Sequence, residues 1–245
     1  MSFKLLWSLK KRAYRLDPTP RVARRRGALW LLDPSDWLDL QLLIGRPFEP
    51  RQMDCMVRLC RDAGVRRFFD VGANIGLYSV LMPRLVAGIA RVDAFEPVAA
   101  TRWRLVANLG LNGLEGLVAV HDIALSDAGG EAEIAIDPSS SGVSTLSPSA
   151  RERDHREFTR AERVARARFD ALFPGLEGPL AFKIDVEGHE PAVLEGMRAT
   201  LAGTPSIVQV EARPRNRDRV EALFDGLGYA AVERIDDDLF FRGPR

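Results

Sequence analysis

The sequence has few of the residues that build metal knuckles and disulfide frameworks. Its 245 residues include two cysteines and three histidines, and Cys55 and Cys60 stand five positions apart with no cluster of His or Cys around them. Neither a zinc knuckle nor a redox pair is indicated, so a reducing cytoplasm is the expected compartment.

The sequence also lacks a long hydrophobic run. No stretch approaches the roughly 18 apolar residues of a membrane span, while hydrophobic residues at 46% and charged residues at 28% are ordinary for a soluble globular protein. The length suits one α/β domain with an extension, because a second catalytic domain would not fit. We therefore expect a cytoplasmic protein.

The whole chain lacks a marked excess of positive or negative charge, but its N-terminus is strongly basic. The formal net charge is +1, yet residues 1–26 carry nine Lys or Arg against one Asp, around an apolar cluster between Phe3 and Leu9. The order does not match a secretory signal, which places its charges before a longer apolar core. The segment is either a solvated basic arm or an amphipathic anchor on the anionic inner face of the membrane. The remainder is acidic, so no specific nucleic-acid binding is expected.

Residues 1–50 are predicted to form this basic arm with a helical extension, and residues 51–245 the main domain. Asp33-Pro34-Ser35-Asp36 is typical of a helix start and predicts a helix over residues 37–44, which we interpret as a lid. Residues 51–63 place apolar side chains at helical spacing and predict a helix that leads into the first core strand.

The most informative stretch is RRFFDVGANIGLYSV, residues 66–80. A short apolar run ends in Asp70, glycines follow at Gly72 and Gly76, and a segment with helical spacing then begins. This pattern predicts a strand, a tight turn and a helix. Gly72 would admit a ligand against bare backbone, and Gly76 would let the helix pack closely on its strand.

The residues of this turn indicate which nucleotide binds. A dinucleotide fingerprint requires G-x-G-x-x-G, but here Ala73 and Asn74 follow the first glycine and Asn74 replaces the middle one. A second short strand ends at Glu96-Pro97, where a carboxylate can accept hydrogen bonds from both ribose hydroxyls. These features suit S-adenosylmethionine, whose cationic sulfonium and amino acid end need carboxylates instead of a phosphate nest.

Two later segments are predicted to cover the cofactor. A third strand leads into a loop that usually meets the adenine, so Asp122 is placed to accept from the exocyclic amine and Ile123 to pack on the ring; a surface turn is the alternative. Residues 138–160 are rich in Ser, Pro and Arg and too polar to fill a core, which predicts a mobile loop over the site.

Acidic residues also follow the fourth and fifth predicted strands, at Asp185, Glu187 and Glu211, with His189 nearby. Open α/β sheets bind ligands at the carboxyl ends of their strands, so these side chains are expected to converge beside the cofactor. His189 is the first candidate for the base because its unperturbed pKa lies near neutrality, a structural histidine being the alternative. Asp185 and Glu187 are alternative bases, or with Glu211 would hold a hard divalent ion.

Taken together, these motifs resemble those of the FkbM-type methyltransferases over roughly residues 51–242. The resemblance is carried by DVGANIG from Asp70, FEP around Glu96, KIDVEGHE from Lys183, and Glu211. It implies an α/β, Rossmann-like, seven-stranded class I methyltransferase sheet, to which the sequence adds an antiparallel C-terminal hairpin and the N-terminal helical extension. It also implies S-adenosylmethionine-dependent O-methylation of a hydroxyl on a sugar, glycolipid or natural product.

Two other functions share parts of this pattern. An NAD-dependent oxidoreductase would have a related fold, although the missing glycine argues against it. A noncatalytic nucleotide-binding module would keep the cofactor cleft without a working acceptor site.

Overall fold

The structure is a computed structural model that describes residues 3–136, 144–146 and 160–244. Most of the predicted loop over residues 138–160 lies outside the described residues. The helices of the described part are α1 (Phe3–Leu16), α2 (Trp37–Ile44), α3 (Pro50–Ala63), α4 (Leu77–Leu85), α5 (Ala99–Leu111), α6 (Phe169–Leu172), α7 (Glu190–Gly196), α8 (Arg198–Gly203) and α9 (Pro214–Gly226).

The strands fall into three sheets. They are β1 (Arg21–Arg25), β2 (Ala28–Leu32), β3 (Arg67–Val71), β4 (Arg91–Phe95), β5 (Val118–His121), β6 (Ile123–Leu125), β7 (Gly130–Ile136), β8 (Arg160–Ala167), β9 (Leu180–Ile184), β10 (Ser206–Glu211), β11 (Ala230–Ile235) and β12 (Asp238–Arg242). The strands β1 and β2 form a hairpin, and β6, β8 and β7 form a small second sheet.

The central sheet has seven strands in the order β11-β12-β10-β9-β3-β4-β5. Strands β10, β9, β3, β4 and β5 pair in parallel, and β12 pairs antiparallel with both β10 and β11. The predicted seven-stranded sheet with an antiparallel C-terminal hairpin is confirmed. The parallel strands bring their carboxyl ends to one edge, which is the edge that carries the acids.

Hydrophobic side chains cover both faces of this sheet, because successive strand residues point to opposite sides. On β3, Phe68 joins one core cluster and Phe69 the other, and both side chains are fully buried. Phe69 stacks on Phe182 of β9 with ring centroids 4.9 Å apart. Burial of each ring contributes about 2–3 kcal/mol, so the two central strands are held rigidly beneath the site.

The sequence analysis missed the hairpin of β1 and β2. Arg26 and Gly27 connect its strands with φ of 49° and 76°, the left-handed pair that a two-residue hairpin turn requires. Trp30 and Leu32 of β2 are fully buried. The residues that we assigned to a basic arm therefore include a strand of the folded protein.

Two asparagines join this hairpin to the domain that follows. Asn108 accepts from the N–H of Leu31 at 2.7 Å and donates to the Ile75 carbonyl at 2.9 Å, so one amide connects β2 to the glycine-rich turn. Asn112, the C-cap residue of α5, accepts from the N–H of Leu29. The division of the chain at residue 50 stays a prediction, since the extension and the domain share one core cluster.

Helix α2 begins where the sequence predicts, with Asp36 accepting from the N–H groups of Leu38 and Asp39. All its residues after Trp37 are buried, so the helix packs closely against the rest of the fold, and its role as a lid stays a prediction. Trp37 is the exception at 51% exposure.

Part of the basic N-terminal cluster is used inside the fold. Arg25 donates to the carbonyls of Leu42 and Leu43 at 2.7 and 2.5 Å, at the C-terminus of α2, where cations offset the helix dipole. Arg26 donates to the Phe48 carbonyl. These arginines are therefore structural in part. Among the described residues, the helices fall short of the length and apolar character that crossing a bilayer would require.

Candidate active site

The glycine-rich turn lies at the carboxyl end of β3. Gly72, Asn74 and Gly76 have φ of 78°, 50° and 93°, and α4 begins at the next residue. A Cβ on Gly72 would lie 1.9 Å from the carbonyl oxygen of Asp185. The first glycine is therefore required both by its backbone conformation and by the close approach of the turn to the chain that follows β9.

Backbone amides of this turn already have partners within the protein. The N–H groups of Gly72 and Ala73 donate to the Phe95 carbonyl at 3.1 and 3.0 Å, and that of Gly76 donates to the Ala73 carbonyl. The N–H of Asn74 donates to Glu96 at 3.0 Å. Since these four N–H groups are engaged within the protein, a pyrophosphate would not find its usual cradle here.

Carboxylates surround the turn instead. Asp70 accepts from the N–H and Oγ of Ser79 at 2.9 and 2.6 Å. Glu96 accepts from the N–H groups of Asn74 and Val98 at 3.0 and 2.9 Å, one on each oxygen. Each oxygen of Glu96 keeps a lone pair for a ribose hydroxyl. Burial raises the pKa of Glu96 to about 7, so a ligand that donates to it would favour its charged form.

A small cavity of about 70 Å³ lies over β4 and the start of β6. Its lining includes Glu96, Pro97, Ile123 and Asn74, as the sequence predicts. Asp122 is exposed and outside the lining, because neighbouring residues at a strand start point in opposite directions. Its predicted contact with adenine is therefore not supported by the geometry.

The residues of this region fit S-adenosylmethionine. Asn74 lines the small cavity, and its Oδ1 is buried without a hydrogen-bond partner in the described part of the chain. A buried acceptor without a partner is costly unless a ligand supplies a donor. Gly72 leaves the backbone bare beside it, and Glu96 lies where ribose hydroxyls would be held.

A larger cavity of about 620 Å³ opens on the other side of the turn. Its volume lies within the range of small-molecule sites. Trp37 and Phe48 of the extension form an edge-on aromatic pair in its lining, with ring centroids 6.2 Å apart. The other side is strongly acidic, and its carboxylates are those of Glu49, Asp70, Asp185, Glu187, Glu211, Asp236, Asp237 and Asp238.

Four residues line both cavities: Gly72, Asn74, Asp185 and Glu187. Asp185 accepts from the Nζ of the buried Lys183 at 2.6 Å. Burial opposes the charge of Lys183, but the negative charge of Asp185 keeps the Lys183 pKa well above its usual value. Glu187 pairs with Arg213 at 2.5 Å. These two carboxylates therefore lie where the small cavity meets the larger one.

Glu211 lies in the larger cavity at the end of β10, as expected. The negative charge of Asp185, followed by burial, raises the pKa of Glu211 to about 10. The carboxylate of Glu49 lies close to those of Asp185 and Glu211. Burial raises the pKa of Glu49 to about 7. Sequence reasoning missed Glu49, since it lies at the start of α3 about 130 residues before Asp185; an acid before Pro50 was its one local signal.

His189 does not join this group. It lines the small cavity, where its Nε2 lies 3.0 Å from Ser126 Oγ. Burial lowers the pKa of His189, which keeps the ring neutral at pH 7. The convergence expected for four residues is met by Asp185, Glu187 and Glu211, because Gly188, with φ of 101°, turns the chain away before His189. The role of His189 as the base stays a prediction.

The acid at position 190 has a structural role. Glu190 accepts from the N–H of Gly188 at 2.6 Å and from Asn216 Nδ2 at 2.8 Å. Both of its oxygens are thereby used to hold the turn after β9 against α9.

Fold and site together define an α/β methyltransferase cleft. The carboxyl edge of a parallel sheet presents an acid-ended glycine-rich turn, a second buried acid after the neighbouring strand, and an adjoining acidic cavity.

Comparison with known proteins identifies the family. The profile described as "Methyltransferase FkbM domain" matches residues 70–233. Methyltransferase sdnD from Sordaria araneosa is 32% identical over 187 residues, which cover 65% of this chain and 72% of that protein. AMB antimetabolite synthetase AmbE from Pseudomonas aeruginosa is 44% identical over 88 residues, 35% of this chain and 4% of that protein.

A solved structure supports the fold. Methyltransferase FkbM from Methylobacillus flagellatus KT superposes with a TM-score of 0.52 at 13% identity, over 97% of this chain. This chain spans 58% of that structure's length. The protein belongs to the FkbM family of S-adenosylmethionine-dependent methyltransferases, which decides against the NAD-dependent oxidoreductase.

Proposed function

We propose that the protein methylates a hydroxyl group of a sugar, a glycolipid or another natural product, with S-adenosylmethionine as the methyl donor. The observation that carries this proposal is the acidic cavity of about 620 Å³ that shares Asp185 and Glu187 with the cofactor side. Carboxylates accept hydrogen bonds from hydroxyl donors. The aromatic pair of Trp37 and Phe48 offers an apolar surface to the carbon face of such an acceptor.

The name of one relative is a reason to test a natural-product acceptor. The match to AmbE lies within a protein whose name describes an antimetabolite synthetase. That name applies to AmbE alone, but it supports testing small biosynthetic intermediates beside glycans.

The chemistry assigns separate tasks to the residues. Bound S-adenosylmethionine supplies an electrophilic methyl group, which an oxygen nucleophile attacks in line, so positioning provides much of the rate. Glu96 and Asn74 hold the nucleoside end, and Asp185 at the junction is placed to take the proton of the acceptor hydroxyl. A divalent ion beside Asp185 and Glu211 would assist by lowering the pKa of that hydroxyl.

The direct test is methyl transfer from labelled S-adenosylmethionine to fractionated glycans, glycolipids and small natural products. We expect the label in a product whose new methyl group survives treatment with mild base, as a methyl ether does. Transfer of the label to an amine would contradict the proposal, and so would the absence of transfer to any of these acceptors despite tight cofactor binding. The second outcome would instead favour the noncatalytic binding module.

Glu96→Ala is expected to weaken S-adenosylmethionine binding by roughly thirtyfold or more. Losing hydrogen bonds from the ribose to a charged acceptor costs on the order of 2 kcal/mol. Calorimetry with S-adenosylhomocysteine measures the change. Asp122→Ala is the matched control, because Asp122 is exposed beside the same cavity. Equal affinities of Glu96→Ala and wild type would show that the ribose lies elsewhere.

We further propose that α1 contacts an anionic membrane surface. Leu9 and Leu16 are 53% and 81% exposed, and their spacing of seven places them on one helix face. Arg12 and Arg15 lie on the exposed part of the same helix. Trp7 lies on the other face of α1, where its ring centroid is 5.9 Å from the Arg46 guanidinium carbon. That face of α1 is therefore directed toward the protein. An apolar ridge flanked by arginines is complementary to anionic lipid headgroups.

Leu9→Ala with Leu16→Ala is expected to reduce sedimentation with phosphatidylserine vesicles at least threefold, because buried apolar area is lost. Arg12→Gln with Arg15→Gln should do the same and weaken the salt dependence. Arg198→Gln serves as the control, since it removes an exposed charge elsewhere. Wild-type protein that ignores these vesicles at low salt would refute membrane contact.

A further inference from the structure

We infer that Glu49, Asp185 and Glu211 form a binding site for a hard divalent cation of the Mg²⁺ or Mn²⁺ type. The site lies in the larger cavity, and Glu49, from the start of α3, is its unforeseen member. Its role in turnover rests on the proposed function, whereas its binding of metal does not.

The geometry of the three carboxylates matches such an ion. Each residue offers one carboxylate oxygen, and the three oxygens lie within 4.8 Å of one another. Opposite ligands of an octahedral Mg²⁺ are about 4.2 Å apart, at about 2.1 Å from the ion on each side. Three oxygens at this spacing can bind one ion with only small adjustments of their side chains.

An independent observation points to a missing partner. Glu49 Oε2 is buried and no described residue gives it a hydrogen bond of good geometry, although the Tyr78 hydroxyl interacts with this carboxylate and Glu49 belongs to the cavity lining. Leaving a buried carboxylate oxygen without a partner is costly. Glu49 also has a left-handed backbone, with φ of 45°, and does not cap α3 with its side chain. Capping of its own helix therefore does not explain the position of this side chain.

The charges around the site are left unbalanced by the protein. Lys183 contributes one ammonium, bound to Asp185 Oδ2 at 2.6 Å. The other basic residue of the described lining is Arg213, which pairs with Glu187. One ammonium does not balance this carboxylate cluster, and a divalent cation bound between the three side chains would favour their ionised forms.

The donor set selects the class of ion. All three ligands are carboxylates, and the lining of the larger cavity contains neither His nor Cys among the described residues. Oxygen donors favour Mg²⁺, Mn²⁺ or Ca²⁺ over zinc and copper. The remaining coordination positions face the cavity, where the hydroxyl oxygen of an acceptor would bind and become more acidic.

The test is titration of Mn²⁺ into metal-stripped full-length protein, followed by electron paramagnetic resonance of the free ion, with neither cofactor nor acceptor present. We expect one site with a Kd in the micromolar to millimolar range. Glu49→Gln should weaken Mn²⁺ binding by tenfold or more. Loss of a residue that only supports a metal ligand already costs about tenfold in affinity, so loss of a ligand should cost at least as much. Glu211→Gln should act likewise, which keeps the test valid if one variant fails to fold.

Asp236→Asn is the matched control. It removes an exposed carboxylate from the same cavity, at a left-handed position that Asn tolerates, so its Kd should stay within twofold of wild type. Absence of Mn²⁺ binding to wild type at millimolar concentration, or equal weakening in Asp236→Asn and Glu49→Gln, would overturn the site. Either result would leave methyl transfer standing, whereas Mn²⁺ binding without methyl transfer would refute the proposed function alone.

Discussion

Gly72→Ala is expected to abolish S-adenosylmethionine binding, with an affinity loss of at least a hundredfold. The added Cβ would lie 1.9 Å from the Asp185 carbonyl oxygen, and both atoms belong to backbone segments that core strands hold in place. Moving them apart would widen the junction between the two cavities, to which both residues contribute. Calorimetry with S-adenosylhomocysteine measures the loss.

Gly64→Ala is the control that distinguishes the steric clash of Gly72→Ala from the backbone strain of an alanine with positive φ. Gly64 has φ of 66° and nothing within 4 Å of an added Cβ, so alanine there should cost stability by about 1 kcal/mol and leave binding unchanged. Thermal unfolding of both variants reports whether Gly72→Ala still folds. A folded Gly72→Ala protein with normal affinity would show that the cofactor does not approach this turn.

Asp185→Asn is expected to slow the methyl-transfer step by a hundredfold or more. Asp185 lines both cavities, and a positioned proton acceptor contributes about 10²–10⁴ to the rate. Asparagine keeps the shape of the side chain and an oxygen for Lys183, but it cannot take a proton. Single-turnover rates at saturating cofactor isolate this step from binding.

His189→Ala provides the comparison. The sequence favoured His189 as the base, but its ring lies beside Ser126 in the small cavity. We therefore expect a rate within tenfold of wild type and a change mainly in cofactor affinity. A hundredfold slower step in His189→Ala, with unaltered affinity and full activity in Asp185→Asn, would return the role of base to the histidine.

The cofactor side was predictable because its signals are local. The apolar run before Asp70, the positive-φ glycines and the acid after β4 each depend on neighbouring residues, and parallel pairing then brings the strand ends together. The place of Glu96 in the lining of the small cavity could be predicted from its position after β4 alone.

The acceptor side was not predictable in the same way, because it depends on contacts between distant parts of the chain. The position of Glu49 beside Glu211 depends on the packing of α3 against the sheet, which no local pattern encodes. The position of His189 beside Ser126 was not foreseen, because two consecutive positive-φ residues, Glu187 and Gly188, set the direction of the chain there. The β1–β2 hairpin had a usable signal, the Arg26-Gly27 turn between alternating residues, but its arginines suggested a solvated arm.

Part of the lining of the larger cavity comes from residues outside the segment that matches the family, which bears on how the cavity can change in evolution. Trp37, Phe48 and Glu49 precede the segment that matches the family, residues 70–233, and Asp236–Asp238 follow it. Mutations in these flanking residues can therefore reshape the larger cavity while the glycine-rich turn stays intact. If the larger cavity binds the acceptor, we expect relatives that agree over the matched segment to differ in substrate where these flanking residues differ.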